Sequence, residues 1–111
     1  MAVLIRPATQ ADIPAMFAIE QQATSHPWTQ ALFESCFGER YFNAVLLQDE
    51  QIQGFYIGQL IAGEASLFDL AVAPAAQGQG LGRLLLEDFI AKAEQMAAFD
   101  CWLEVRESNH K

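Results

Sequence analysis

A chain of 111 residues, 52% of them hydrophobic, has the length of one domain and enough apolar material for a core, which excludes a disordered segment. Six Lys and Arg against 14 Asp and Glu leave a net charge of −8, which argues against direct nucleic-acid binding, because a surface that coats phosphates is basic. Cys36 and Cys101 lie far apart without metal-ligand spacing, the start of the chain lacks the form of a signal peptide, and no apolar run reaches membrane-spanning length. The expectation is a cytoplasmic protein with reduced thiols, no bound metal and no membrane contact. The acidity favours a basic protein or peptide as partner, or serves solubility alone.

In chain order, Ala2–Arg6 reads as a short strand ended by Pro7. Thr9 to Asp12 resembles a capping box with Asp in the place of Glu, and Pro14 suits the first turn of the helix that follows. Ile13, Met16, Phe17 and Glu20 mark an amphipathic helix, with Ile13 and Phe17 expected on its inner face. Pro27 and Trp28 break it, Thr29 caps a second helix carrying Leu32, Phe33 and Phe37, and Gly38 is expected to end that one. Tyr41–Leu47, Ile52–Ile61 and Leu67–Val72 then read as strands of an antiparallel meander, joined by polar turns at Gln48–Gln51 and Ala62–Glu64.

The chain is organised around Ser66–Lys92. An apolar strand ending in Leu70-Ala71-Val72 is stopped by Pro74 and followed by Gln77-Gly78-Gln79-Gly80-Leu81-Gly82-Arg83. Leu81, Leu84, Leu85, Phe89, Ala93 and Met96 then recur at helical spacing. A glycine-rich turn from strand into helix leaves backbone N–H groups at the positive end of the helix dipole, where a phosphate fits. No P-loop string is present, and Arg83 stands where a dinucleotide fingerprint needs its third glycine. What remains is Gln-x-x-Gly-x-Gly, formed by Gln77, Gly80 and Gly82. Asp100–Glu107 reads as a last strand, and a strand–helix–strand unit with so short a return places it parallel to the motif strand.

The Gln77, Gly80, Gly82 pattern after a Leu-Ala-Val strand and a Pro turn resembles the coenzyme A pyrophosphate motif of the GCN5-related N-acetyltransferase (GNAT) family. The order of strand, helix, Pro-Trp turn and second helix is similar as well. Gly38–Asn43 and Leu103–Asn109 extend the likeness from end to end, towards the branch that acetylates the N-terminal alanine of a small-subunit ribosomal protein. The resemblance implies an α/β (α+β) GNAT fold: a mixed central sheet with an antiparallel N-terminal meander and helices on both faces. It implies acetyl-CoA as co-substrate, direct transfer in a ternary complex, and the amino terminus of a ribosomal protein as acceptor. Gln77, Gly78, Gln79, Gly80, Leu81, Gly82 and Arg83 would hold the pyrophosphate. Leu70, Ala71 and Val72 would add strand-like backbone bonds to pantetheine. Asn109 matches a position that contacts the coenzyme in the family, or is a plain helix cap.

Acetyl transfer from a thioester needs an uncharged amine. An α-amino group titrates near pH 8 against about 10.4 for lysine, so deprotonating it at neutral pH is easier by about 3 kcal/mol. One placed carboxylate is enough. Alternation puts Trp102, Glu104 and Arg106 on one face of the last strand, and Glu104 stands where related enzymes have their proton acceptor; pairing with a neighbouring cation is the other reading. Glu20 and Trp28 either shape the substrate groove or serve the core. Cys101 has no histidine or helix end in view to make it a nucleophile.

The family's domain normally continues past Asn109 with a helix and a strand pair, including a tyrosine that protonates the leaving thiolate; Tyr41 and Tyr56 do not align with it. Residues 1–111 are therefore expected to form a single, incomplete N-acetyltransferase domain. The alternative is a noncatalytic coenzyme A-binding or interaction module keeping the cofactor half. An uncovered last strand would also favour self-association through its edge.

Overall fold

The computed structural model describes residues 2–96 and the strand backbone of 100–103. Five strands form one sheet in sequence order: β1 (Val3–Pro7), β2 (Tyr41–Gln48), β3 (Gln51–Ile61), β4 (Glu64–Val72) and β5 (Asp100–Leu103). The first four run antiparallel, and β5 lies parallel to β4 with Leu67 opposite Leu103. The antiparallel part has four strands, not three, because β1 pairs along β2 from Val3–Gln48 to Pro7–Ala44. The parallel return of the last strand is as the strand–helix–strand spacing predicts.

Two-residue turns join β2 to β3 and β3 to β4. Asp49 and Glu50 (φ 53° and 71°) link β2 to β3, while Ala62 and Gly63 (φ 53° and 82°) link β3 to β4. Left-handed residues at both central positions match the twist of a hairpin, which is why the polar stretch Gln48–Gln51 contracts to two residues.

Alternation sorts each strand's side chains to two cores. Val45, Phe55, Ile57 and Ala71 meet α1 (Ile13–Ala23) and α2 (Gln30–Glu34) on one face. Leu46, Tyr56, Leu70 and Val72 meet α3 (Leu81–Gln95) on the other. Helices thus cover both faces, as expected of the fold. Two bulges reset the alternation: Gln53 is the extra residue of β3, and Phe68 that of β4. The second lets Leu67 and Leu70, three residues apart, pack in the same core.

Several boundaries differ from expectation. On α1 the inner face is Ile13, Met16, Ile19 and Glu20, with Phe17 only half-buried. The second helix ends at Glu34, well before Gly38, because Ser35 Oγ donates to Leu32 O at 2.6 Å and competes for the last turn. Phe33 is its buried anchor, while Leu32 is exposed. Thr29 does cap it, accepting from Leu32 N at 3.1 Å. On α3, Leu81, Leu85, Phe89 and Ala93 are buried, but Leu84 and Met96 face outward.

At the start of α1, Asp12 ties three groups together. Its carboxylate accepts from both guanidinium nitrogens of Arg6 (2.9 and 3.0 Å) and from Thr9 N at 2.8 Å. The Arg6 bond, helped by the Thr9 amide, holds the Asp12 carboxyl below its ordinary value against the opposing effect of burial. A lowered folded-state pKa stabilises above the unfolded value of about 3.9 and is lost as pH falls through the folded one. Asp12→Asn should therefore cost about 1–3 kcal/mol at pH 7. Urea melts at pH 7 and pH 3 check this: the gap between variant and parent should shrink at the lower pH.

The α3-side core depends on one close approach. A Cβ on Gly58 would lie 2.9 Å from the Phe42 carbonyl oxygen and 2.9 Å from the Phe89 ring. The two rings themselves stack at 5.2 Å. Backbone on one side and two packed rings on the other leave no room to yield. Gly58→Ala should lose roughly 1–3 kcal/mol in chemical denaturation, and an unchanged midpoint would contradict this packing.

Candidate coenzyme site at the β4–α3 turn

β4 carries the site because of how its backbone is shared. The Phe55–Ala71 pairing, and the bond from Ala73 N to Gln53 O at 2.7 Å, direct Ala71 and Ala73 towards β3. Strand geometry then turns the N–H and C=O groups of Leu70 and Val72 to the opposite edge. Two side chains from the same segment meet them there. Asp69 Oδ1 accepts from Leu70 N at 2.9 Å, and Gln77 Nε2 donates to Val72 O at 3.0 Å. Leu70 N and Val72 O are thus engaged within the segment, so an amide-bearing ligand along this edge would pair with Leu70 C=O and Val72 N–H, whereas the backbone groups of Ala71 are engaged with β3.

Beyond Val72 the chain makes a short 3-10 turn at Pro74–Ala76 and enters the glycine loop. Gly78 (φ 85°) and Gly80 (φ 81°) are both left-handed, and a Cβ on either would meet nothing within 4 Å. The loop is thus backbone facing open space, a cradle that side chains would fill. Gly80 is the N-cap of α3, and the first backbone bond of that helix runs from Leu84 N to Gly80 O at 3.1 Å. The N–H groups of Leu81, Gly82 and Arg83 precede it and have no intrahelical acceptor. Gly82 differs from its neighbours. Its Cβ position faces the Val72 and Leu70 side chains at 3.7 and 3.8 Å, so it serves close contact of helix and strand rather than opening the loop.

Arg83 is highly exposed and bonds Glu87 at 3.2 Å, one turn along α3. Gln79, at the loop tip, accepts from Gln48 Nε2 at 2.8 Å. Glu104 and Asn109 lie outside the described residues, as does Cys101's side chain. Leu103, which precedes Glu104, stands opposite Leu67, one residue before the β4 bulge.

Two residues near the motif escaped the sequence reading. Asp69 is wholly buried, a carboxylate inside an apolar strand, and that interruption of Leu-Phe-Asp-Leu was the available signal. Gln48 had none, being an ordinary polar residue at a strand end.

Elsewhere, Glu20 is fully buried and accepts from Trp28 N at 3.0 Å, tying α1 to the loop before α2, where the Trp28 ring lies 5.3 Å from Phe33. The Cys36 thiol is pushed up by burial and is a poor nucleophile. A cleft of about 360 Å³ lined by Pro7, Phe37, Phe42, Tyr56 and Lys92 opens beside the C-terminal end of α3, at the far end from the glycine loop, and holds none of the motif residues. Among the described residues no group of three His, Cys, Asp or Glu is placed to hold a metal ion, and no helix is long and apolar enough to cross a membrane.

The sequence model of the Acetyltransferase (GNAT) family matches residues 10–111. The chain belongs to this family. It is 47% identical over 98 residues to the [ribosomal protein bS18]-alanine N-acetyltransferase of Escherichia coli (strain K12), covering 88% of this chain and 66% of the relative. It therefore spans just under two thirds of the length of that relative. The crystal structure of the ribosomal-protein-S18-alanine N-acetyltransferase from Escherichia coli superposes with a TM-score of 0.91 at 44% identity, over 97% of this chain and 70% of the other. The PaiA N-acetyltransferase from Thermoplasma acidophilum, a structure in complex with coenzyme A, shares the fold with a TM-score of 0.76 at 18% identity, over 98% and 82% of the two chains.

A β-branched residue at Gly80 would be strained in the left-handed region and would fill the cradle. Gly80→Val should weaken coenzyme A binding at least about tenfold in calorimetry, as expected when phosphate loses its approach to the backbone. Unchanged affinity in a folded variant would remove the pyrophosphate assignment.

Proposed function

We propose that the protein is an acetyl-CoA-dependent N-acetyltransferase acting on the N-terminal α-amine of a ribosomal protein, with alanine as the acceptor residue, in the cytoplasm. The observation that carries this reading is the glycine turn opening α3 beside a β4 edge on which the backbone of Leu70 and Val72 is directed away from β3. The 47% identity to an enzyme named for bS18 alanine acetylation supports the acceptor. Backbone N–H groups of the Gln77–Arg83 loop would receive the pyrophosphate, and the Leu70 and Val72 backbones would align the pantetheine arm. Asn109 is assigned a further contact to the coenzyme.

The coenzyme supplies an acetyl group activated as a thioester. This chain's part is to orient that thioester, to hold the acceptor amine neutral beside it and to take up the proton the amine loses. Glu104 is assigned that proton. The demand is modest, because an α-amine near pKa 8 is already partly neutral at pH 7. The acidic surface, at net charge −8, suits the basic amino terminus of a ribosomal protein.

The test is acetylation of a peptide with a free N-terminal alanine, read by mass spectrometry. Transfer to the α-amine in preference to a lysine side chain is expected. Coenzyme A binding with no transfer would favour a noncatalytic binding module instead. Glu104→Gln should lower the rate by roughly 10²-fold at pH 7 while coenzyme A affinity stays near the parent value. Raising the pH should recover part of the loss, since more amine is then neutral without help. Turnover at the parent rate at pH 7 would move the base to another group.

A further inference from the structure

The glycine loop is anchored at two points, and only one of them belongs to the motif strand. Gln77 Nε2 bonds Val72 O at 3.0 Å and fixes the base of the loop to the end of β4. The tip is a different matter. Gln79 sits between Gly78 and Gly80, both left-handed, and neither glycine has a Cβ neighbour that would hold it in place. A backbone flanked by two such glycines has wide freedom, which binding would have to remove. What restrains the tip is Gln79 Oε1 accepting from Gln48 Nε2 at 2.8 Å, a contact across 31 positions of sequence. Gln48 closes β2 and is paired in the sheet with both Val3 and Gln51, so it is a fixed point.

We propose that Gln48 is a positioning residue for the coenzyme: through Gln79 it holds the glycine loop in the conformation whose backbone N–H groups receive the pyrophosphate, without itself touching the ligand. The inference rests on the acetyl-CoA reading above. The chemistry of the tether fits a polyanion. Asp49 and Glu50 follow Gln48 directly, so a carboxylate clamp at this corner would add to charge that already repels phosphate. An amide pair joins loop to sheet without charge. Turning both amides over together exchanges donor and acceptor and leaves the tether intact, so it does not depend on which side chain donates.

Such a role predicts a selective loss. Gln48→Ala removes the tether but no atom of the binding surface. Its effect should fall on ligands that carry the pyrophosphate and spare those that do not. Calorimetry with coenzyme A and NMR titration with pantetheine, on the parent, Gln48→Ala, Gln79→Ala and the double variant, test this. Each single variant should weaken coenzyme A about fivefold, which corresponds to about 1 kcal/mol and to one net hydrogen bond. Pantetheine affinity should not change. The double variant should be no weaker than either single one, because both remove the same contact. Three results would overturn the proposal: parent-like coenzyme A affinity in Gln48→Ala, an equal loss for pantetheine, or losses that multiply in the double variant. If the parent itself bound no coenzyme A, the coenzyme reading would fall, and this inference with it.

Discussion

The antiparallel pairing of β3 with β4 is the constraint on which the rest of the molecule depends. Because Ala71 pairs with Phe55 and Ala73 bonds Gln53, the polar backbone of Leu70 and Val72 can only face away from β3. The described β4–β5 ladder covers Glu64–Leu67, and the bulge at Phe68 falls directly after it. The same bulge keeps Leu67 and Leu70 in one core, so the change of edge costs the α3 side no packing. Gly54 and Gly58 on β3 let Leu85 and Phe89 of α3 close onto the sheet, which in turn fixes where α3 begins.

An acidic chain that is to bind a polyanion, as proposed, needs local help, and the residues can supply it. Arg83 is engaged with Glu87, so its charge near the loop is partly compensated. The favourable field then comes mainly from the start of α3, a helix of 15 residues whose first N–H groups lack acceptors within it. A helix dipole and glycine backbone need no net positive charge. The rest of the surface could then stay acidic for the basic acceptor proposed above, and the two requirements would not compete.

Much of this was legible in the sequence because backbone conformation leaves marks there. Glycines at 78 and 80 report left-handed turns, Pro74 reports the end of a strand, and Thr29 reports a cap, and all three stand where their chemistry puts them. What was not legible was competition between neighbours. Ser35 ends α2 by bonding Leu32 O, a local choice that composition does not rank against the more obvious Gly38. Ile19 takes the place of Phe17 on the inner face because the sheet, not the helix, decides which stripe is covered. Gly82 resembled its two neighbours as a residue type, yet it is helical and packs on Val72. The bulges at Gln53 and Phe68 break strict alternation without a glycine or proline to announce them.

The two tyrosines sharpen the division of labour between the described core and the proton chemistry. Tyr56 is buried on the α3 side, and its hydroxyl donates to Asp88 Oδ2 at 2.7 Å, where Lys92 also bonds at 3.4 Å. Burial first, and then the Asp88 carboxylate, raise its pKa far above that of a free phenol. Tyr41 is raised too, chiefly by burial, with Cys36 beside it. A phenol whose pKa is raised is a weaker acid, and Tyr56 is committed to holding the middle of α3 against β3 through Asp88. Neither is suited to protonate a leaving thiolate at the β4 edge. Under the proposed function the described residues would bind and orient, through the glycine loop, the Leu70–Val72 edge and the start of α3. Deprotonation of the amine would then fall to a residue outside them, the role proposed for Glu104.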